Sequence, residues 1–415
     1  MSVSCSQKRN KLTNVVSSLV SQVPHLRRIA ALLRWVGDAA GILGEGFERK
    51  ENLVTRMNNS QTQTSQSLTP HASNSCGLRA APEALLDSEQ GRVDRAPLDG
   101  LAGKSILNPR QFDRRTIVAL SQLAARLETR NVEMDKPLDG KIAITAFFEP
   151  STRTRLSFES AVQRLDGKVL SVPDGQVTGI AKGESLADIG EMFNTYGDVV
   201  IMRHPVTESI DEIRRNLQRP LINAGNGSGH HPTQALIDWY ALLKWRPELR
   251  LPNCPESARI HLGIIGTPGS MRAVKSFLRL SLMFLGAVKK ITLISELADP
   301  VGLDLTEPIE QSPIPIDITN DAQDVLPHLD VIYVNSIAFL GDSYRNLDSR
   351  YKLDGSSQLK SDAVIMHPLA RNEELSVELD DTPHNLYFAQ AAGAVFLRQA
   401  LLAAVLDRLN RISDI

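Results

Sequence analysis

Three cysteines in 415 residues, Cys5, Cys76 and Cys254, are too few and too scattered for a disulfide framework. They share no metal-ligand spacing, and a reducing compartment, the cytoplasm, is the expected setting. No run of about 18 apolar residues occurs, so no membrane-spanning helix and no membrane partner are expected. A formal charge of −2 gives no global field that would draw the chain to nucleic acid. Internal repeats are absent. The early apolar stretch is broken by Ser, Gln, Pro and His, which excludes a secretory signal. Acidic residues are missing before Asp38, whereas Lys8, Arg9, Lys11, Arg27, Arg28 and Arg34 are present. Together with an amphipathic patch at 29–36, that suits either an organelle-targeting peptide or a small basic helical extension.

What is present is the composition of a soluble globular protein, 42% hydrophobic and 23% charged, long enough for two or three domains and a large core. Residues 58–75 are polar and low in complexity and read as a flexible linker. They belong to an N-terminal extension, partly disordered, that runs to residue 97. From residue 98 onward short apolar runs alternate with helical patterns. Runs at 142–148, 168–172 and 199–202 are expected strands of a first unit, 98–247. Those at 259–265, 290–294, 331–334 and 363–366 belong to a second unit, 256–387. The expected fold is α/β, two doubly wound parallel-sheet domains joined by helices. Such sheets bind ligands outside the carboxyl ends of their strands. Four strand ends carry polar residues there: Ser151 onward, Arg203 with His204, Asn335 with Ser336, and His367.

The densest signal is 147–158, Phe-Phe-Glu-Pro-Ser-Thr-Arg-Thr-Arg-Leu-Ser-Phe. An apolar strand ends in two hydroxyls and two guanidiniums, and Leu156, Phe158, Val162 and Leu165 continue as a helical stripe. A helix start offers free backbone N–H groups and the positive end of its dipole, which suits an anion. Ser151, Thr152, Arg153 and Thr154 add the charge-assisted bonds that a phosphate accepts several at a time. A second segment, 223–234, is rich in glycine and enters a helix at Pro232, a favoured first position. It places His231 and Gln234 at the helix mouth. Two adjacent histidines could also suggest a metal, but no carboxylate or Cys stands at ligand spacing. The turn Gly266-Thr-Pro-Gly-Ser-Met-Arg272 follows a strand and opens a helix. Its glycines, at 263, 266 and 269, do not have the dinucleotide spacing.

Phe-x-Glu-x-Ser-Thr-Arg-Thr-Arg resembles the carbamoyl-phosphate motif of the aspartate and ornithine carbamoyltransferases, and the resemblance covers about residues 98–408. It implies a carbamoyl-phosphate domain at 98–247, completed by a C-terminal helix at 388–408, and an amino-acid-binding domain at 256–387. It further implies that His231 contacts the carbamoyl oxygen and Gln234 the carbamoyl nitrogen. Arg203 resembles an arginine that also binds carbamoyl phosphate. Thr178 and Lys182, in the loop Thr-Gly-Ile-Ala-Lys-Gly-Glu, resemble a mobile loop whose lysine reaches the active site of a neighbouring subunit. The implied assembly is a homotrimer with shared sites, without metal or cofactor. On this reading Arg153, Thr154 and His231 stabilise charge on the carbonyl oxygen, while Ser151, Thr152, Arg203 and Lys182 hold the leaving phosphate. Arg272 resembles the arginine for the acceptor's carboxylate. In His367-Pro-Leu-Ala the backbone carbonyls of Pro368 and Leu369 match those that bind substrate nitrogens.

Two departures bear on the acceptor. Aspartate carbamoyltransferases carry Arg-x-Gln after the strand that ends here at Val334, whereas this chain has Ser336-Ile-Ala338. Arg345 in the same loop is a candidate substitute. The family's His-Pro-Leu-Pro ends here in Ala370, where a cis peptide costs ~2.5–4 kcal/mol rather than under 1. Either a cis bond is kept or the loop is trans. The His-Cys-Leu-Pro motif of the ornithine branch is absent. The expected reaction is carbamoyl transfer to L-aspartate. The alternatives are the same chemistry on another amino acid or amine, and a non-catalytic assembly subunit.

Overall fold

The computed structural model describes residues 81–86, 93–130, 132–335 and 349–413. Most of the N-terminal extension therefore lies outside the described residues, as do Ser336, Ala338 and Arg345. Core packing begins ahead of the expected boundary at 98. Leu85 and Val93 are buried in the main hydrophobic core, and the short helix α1 (Arg95–Asp99) buries Leu98 there too.

The first sheet holds β1 (Ile142–Phe147), β2 (Lys168–Val172), β3 (Val199–His204) and β4 (Leu221–Asn226), all parallel, in the order β2-β1-β3-β4. The second holds β5 (Ile260–Ile265), β6 (Val288–Ile294), β7 (Ile316–Thr319), β8 (Val331–Val334) and β9 (Val364–Met366), parallel, in the order β7-β6-β5-β8-β9. Every expected strand is present, with ends moved by up to two residues. β3 runs on to His204 because Phe147 pairs with Arg203, which sets the ends of β1 and β3 side by side. A register shift between Met202 and His204 on the β4 side turns the Arg203 position out of regular pairing.

Two strands, β4 and β7, were not expected from the sequence. β4, Leu-Ile-Asn-Ala-Gly-Asn, is fully buried, yet two Asn and a Gly give it the look of a turn. Its polar atoms are satisfied internally: the Asn223 side chain donates to the Leu107 carbonyl (2.9 Å) and to Asn226 Oδ1 (2.8 Å). β7 is an outer strand, half-buried or exposed along its length, so it lacks the apolar run that marks an inner one.

Helices cover both sheets: α2 (Arg114–Thr129), α3 (Thr152–Arg164), α4 (Leu186–Tyr196), α5 (Ser209–Arg214), α6 (Pro232–Trp245), α7 (Arg272–Ser281), α8 (Leu303–Glu310) and α9 (Tyr387–Val405). α2 begins at an Asp113 cap, whose carboxylate accepts from the Thr116 N–H at 2.8 Å. α6 is buried along almost its whole length and packs against α7, α2 and α9. Trp239 on α6 stacks on Phe284, and Phe277 on α7 stacks on Tyr333 of β8, so aromatic contacts tie the two sheets' helices together. α9 is long and apolar enough to cross a membrane by length and composition alone. It is instead a core helix, 72% buried, packed on α2, α3 and α6. The last helix thereby returns to cover the first sheet.

Candidate active site

A cavity of about 920 Å³ opens between the two sheets, at the carboxyl ends of their strands. Its walls include Ser151, Thr152, Arg153 and Thr154 at the start of α3, and Arg203 at the end of β3. His231 and Gln234 enter from α6, Arg272 from the start of α7, and Pro368 and Leu369 from the loop after β9. Ten residues picked from five separate stretches of sequence thus converge on one space. Thr178 and Lys182 do not. Thr178 caps a short turn, donating its hydroxyl to the Gly175 carbonyl at 2.7 Å, and Lys182 is exposed on that turn away from the cavity. Ser336 and Arg345 fall outside the described residues, but their neighbour Asn335 lines the cavity.

Local physics explains the α3 corner. Ser151 stands at the N-cap in an extended conformation and its side chain makes no capping bond, which leaves the first-turn N–H groups to a ligand. Successive helical residues turn by about 100°, so Arg153 and Arg155 face opposite ways. Arg155 turns toward the first sheet, pairing with Glu159 at 3.2 Å and with Ser171 on β2. Arg153 alone of the two lines the cavity.

Glu149, which the sequence reading passed over, joins the two halves. Its Oε1 accepts from Arg203 Nη2 and Arg272 Nη2, both at 2.7 Å, and its Oε2 accepts from Arg272 Nη1 at 3.0 Å. Burial pushes this carboxyl up, but the Arg272 and Arg203 guanidiniums outweigh it and hold Glu149 below its ordinary value. Gly225 at the end of β4 makes room for this arrangement. Its φ is +114°, and a Cβ there would stand 3.0 Å from Arg272 Nε and 3.4 Å from the His231 ring.

His231 is buried, and its backbone N–H is held by Ser276 Oγ at 2.9 Å. Burial first, then the guanidiniums of Arg203, Arg272 and Arg398, hold its imidazole well below the ordinary value. That environment favours the neutral imidazole over the cation. His367 fixes the opposite wall. The Leu369 N–H donates to its Nδ1 at 2.8 Å, so the proton sits on Nε2 and is given to Glu374 at 3.0 Å. The peptide between Leu369 and Ala370 is cis, which settles the alternative left open by the sequence.

A second residue missed from the sequence is Arg398. It is buried in the apolar helix α9, its guanidinium lies 4.4 Å over the Phe158 ring, and it donates to Ser157 on α3. Burial alone lowers it to about 9. A lone arginine inside an otherwise apolar helical run was the available signal. The cavity thus gathers four guanidiniums, of which Arg203 and Arg272 share one carboxylate. The surplus of positive charge favours a dianion.

Comparison with known proteins agrees with that chemistry. Residues 104–244 match the aspartate/ornithine carbamoyltransferase carbamoyl-P binding domain, and residues 258–405 match the Asp/Orn binding domain of the same family. The chain belongs to the aspartate/ornithine carbamoyltransferase family. Among similar proteins, an aspartate carbamoyltransferase catalytic subunit of Alkaliphilus oremlandii is 35% identical over 317 residues, 75% of this chain and 93% of that protein. One of Korarchaeum cryptofilum is 38% identical over 276 residues, 65% of this chain and 88% of the relative. The crystal structure of aspartate transcarbamoylase from Trypanosoma cruzi in complex with carbamoyl aspartate and phosphate superposes with a TM-score of 0.66. It is 33% identical and covers 75% of this chain and 98% of its own. The same carbamoyltransferase was also solved with carbamoyl phosphate and aspartate, again with a TM-score of 0.66.

Proposed function

We propose that this chain is an aspartate carbamoyltransferase, which moves the carbamoyl group of carbamoyl phosphate to the amine of L-aspartate and releases N-carbamoyl-L-aspartate and phosphate. The observation that carries the reading is one cavity in which an open helix N-terminus, Arg153 and neutral His231 face the backbone of Pro368 and Leu369. The amine lone pair attacks the carbamoyl carbon, the C–O bond to phosphate breaks, and the amine's proton passes to the departing phosphate. Arg153, Thr154 and His231 stabilise the carbonyl oxygen as it gains charge. Ser151, Thr152 and Arg203 hold the phosphate, and Gln234 meets the carbamoyl nitrogen. Holding amine and carbonyl in near-attack geometry supplies much of the rate. The relatives' names and the ligands in the Trypanosoma cruzi structures support this reading.

A second reading, transfer to another amino acid or amine, is favoured by Ser336 and Ala338 in place of the family's Arg and Gln. Losing a bidentate guanidinium weakens a dicarboxylate site by about 2 kcal/mol unless another cation replaces it. Product formation from carbamoyl phosphate and a panel of amino acids separates the two. Aspartate should be carbamoylated, and Ser336→Arg with Ala338→Gln should lower its KM roughly thirtyfold while leaving the carbamoyl-phosphate KM unchanged. Aspartate that stays inert while another amine reacts would hand the function to the second reading. No carbamoylation of any acceptor would leave a non-catalytic subunit.

The working unit is a homotrimer with shared sites, a reading supported by the exposure of Lys182 away from its own chain's cavity. Lys182→Ala and His231→Ala should each be inactive alone. Mixed one to one, they should recover up to about a quarter of wild-type activity, because a quarter of the heterologous interfaces then hold both native groups. Mixed trimers that form without any recovery would exclude shared sites.

A further inference from the structure

Asp238 is fully buried on α6, one helical turn beyond Gln234, and no step of the proposed reaction uses it. Its Oδ1 accepts from Gln234 Nε2 at 2.8 Å and from Gln390 Nε2 of α9 at 2.6 Å. Its Oδ2 accepts from the Tyr333 hydroxyl of β8 at 3.0 Å. Gln390 in turn accepts the His367 N–H on its Oε1 at 3.0 Å, at the start of the loop that carries Pro368 and Leu369. One carboxylate therefore ties α6, α9, β8 and the loop after β9 around the floor of the cavity.

The consequence lies in the direction of an amide. Gln234 has an NH2 end and a carbonyl end of nearly equal shape, and either could face a ligand. An unprotonated carboxylate oxygen only accepts, so the NH2 end of Gln234 must turn to Asp238 Oδ1. The carbonyl oxygen Oε1 is then left to face the cavity as an acceptor. Burial raises Asp238 to about 7 against its three donors. A proton, when present, belongs on Oδ2 beside Tyr333, because Oδ1 already receives two amides. The orientation of Gln234 is the same in either state.

We propose that Asp238 is a positioning residue which fixes the Gln234 carbonyl toward the ligand, and so lets the cavity tell a carbamoyl NH2 from the methyl of an acyl phosphate. The inference rests on the reading of this cavity as a carbamoyl-phosphate site. Acetyl phosphate has the same charge and nearly the same shape as carbamoyl phosphate but no N–H to donate. One well-placed hydrogen bond is worth about 0.5–1.5 kcal/mol, roughly a three- to tenfold preference.

Calorimetry of the full chain with carbamoyl phosphate, acetyl phosphate and inorganic phosphate gives the test. Wild type should prefer carbamoyl over acetyl phosphate by about that factor. Asp238→Leu should erase the preference while phosphate binds as before, and Gln234→Ala with Asp238→Leu should show no further loss, since the two act as one. Asp238→Asn can keep its oxygen toward both amides and its NH2 toward Tyr333, so it should retain the preference. Damage to the fold would instead weaken all three ligands in parallel. A preference that survives in Asp238→Leu, or that vanishes in folded Asp238→Asn, overturns the role of Asp238. A wild type that binds both acyl phosphates equally overturns the carbamoyl reading of Gln234 itself.

Discussion

Replacing Arg153 with alanine should lower kcat by about 10²–10³ and weaken carbamoyl phosphate and phosphate binding by about 1.5–3 kcal/mol. The reason is how the other guanidiniums around the cavity are engaged. Arg203 and Arg272 already share Glu149, and Arg398 is buried against Phe158 and Ser157. Arg153 has no side-chain partner among the described residues, so its charge is free for a ligand. It also stands in the first turn of α3, where the open N–H groups and the dipole reinforce it. Lysine at this place should recover part of the binding but little of kcat, because a point charge cannot donate a fork of parallel bonds. Arg155→Ala, two residues on, should cost far less, since that side chain pairs with Glu159 and does not line the cavity. Calorimetry with phosphate and steady-state rates with both substrates check this. Equal affinity in Arg153→Ala and wild type would remove the anion from the α3 corner.

How much of this was legible beforehand depends on the kind of interaction. The strands and helices that bury continuous apolar runs could be read directly, since a parallel sheet covered on both faces asks for little else. β4 could not. Its Asn223 and Asn226 satisfy each other and the neighbouring backbone, so a buried strand wears the composition of a turn. The ligand-facing groups of the site were also legible, because Ser151 to Thr154, His231, Gln234 and Arg272 sit at strand-to-helix junctions where polar residues have no packing role. The groups that hold them were not. Glu149 lies inside the recognised motif, but its partners Arg203 and Arg272 are 54 and 123 residues away. Asp238 reads as an ordinary polar position on a helix until Tyr333 and Gln390 are brought to it by the second sheet and the last helix. Local patterning announces a side chain that meets a ligand. A side chain that meets other side chains across 50 or more residues leaves no local trace.

Glu149→Gln should separate binding from turnover. The carboxylate takes three guanidinium contacts, from the first sheet through Arg203 and from the second through Arg272. Both arginine side chains are only 15% exposed, so loss of the charge leaves two like charges facing each other in a poorly hydrated gap. A glutamine can set its one carbonyl oxygen between the two guanidiniums, but its NH2 then meets Arg272 Nη1 donor to donor and the neutralising charge is gone. The two units should then approach each other less readily, raising the acceptor KM and lowering kcat by about 10–10². Carbamoyl-phosphate affinity should stay the same or rise, because Arg203 released from Glu149 is free for the phosphate. Stability should fall by about 1–2 kcal/mol at neutral pH, a figure discounted for the partial exposure of the pair. The pH dependence has a definite sign. Arg272 and Arg203 hold the Glu149 carboxyl below its ordinary value of 4.5. Its contribution is therefore complete above that pH and is lost as pH falls through the lowered value. Urea unfolding at pH 7 and pH 3 should show a gap between wild type and Glu149→Gln that narrows in acid, alongside unequal effects on the two KM values. A variant that loses carbamoyl-phosphate affinity in step with kcat would mean that Glu149 shapes the phosphate site alone, and does not link the two sheets.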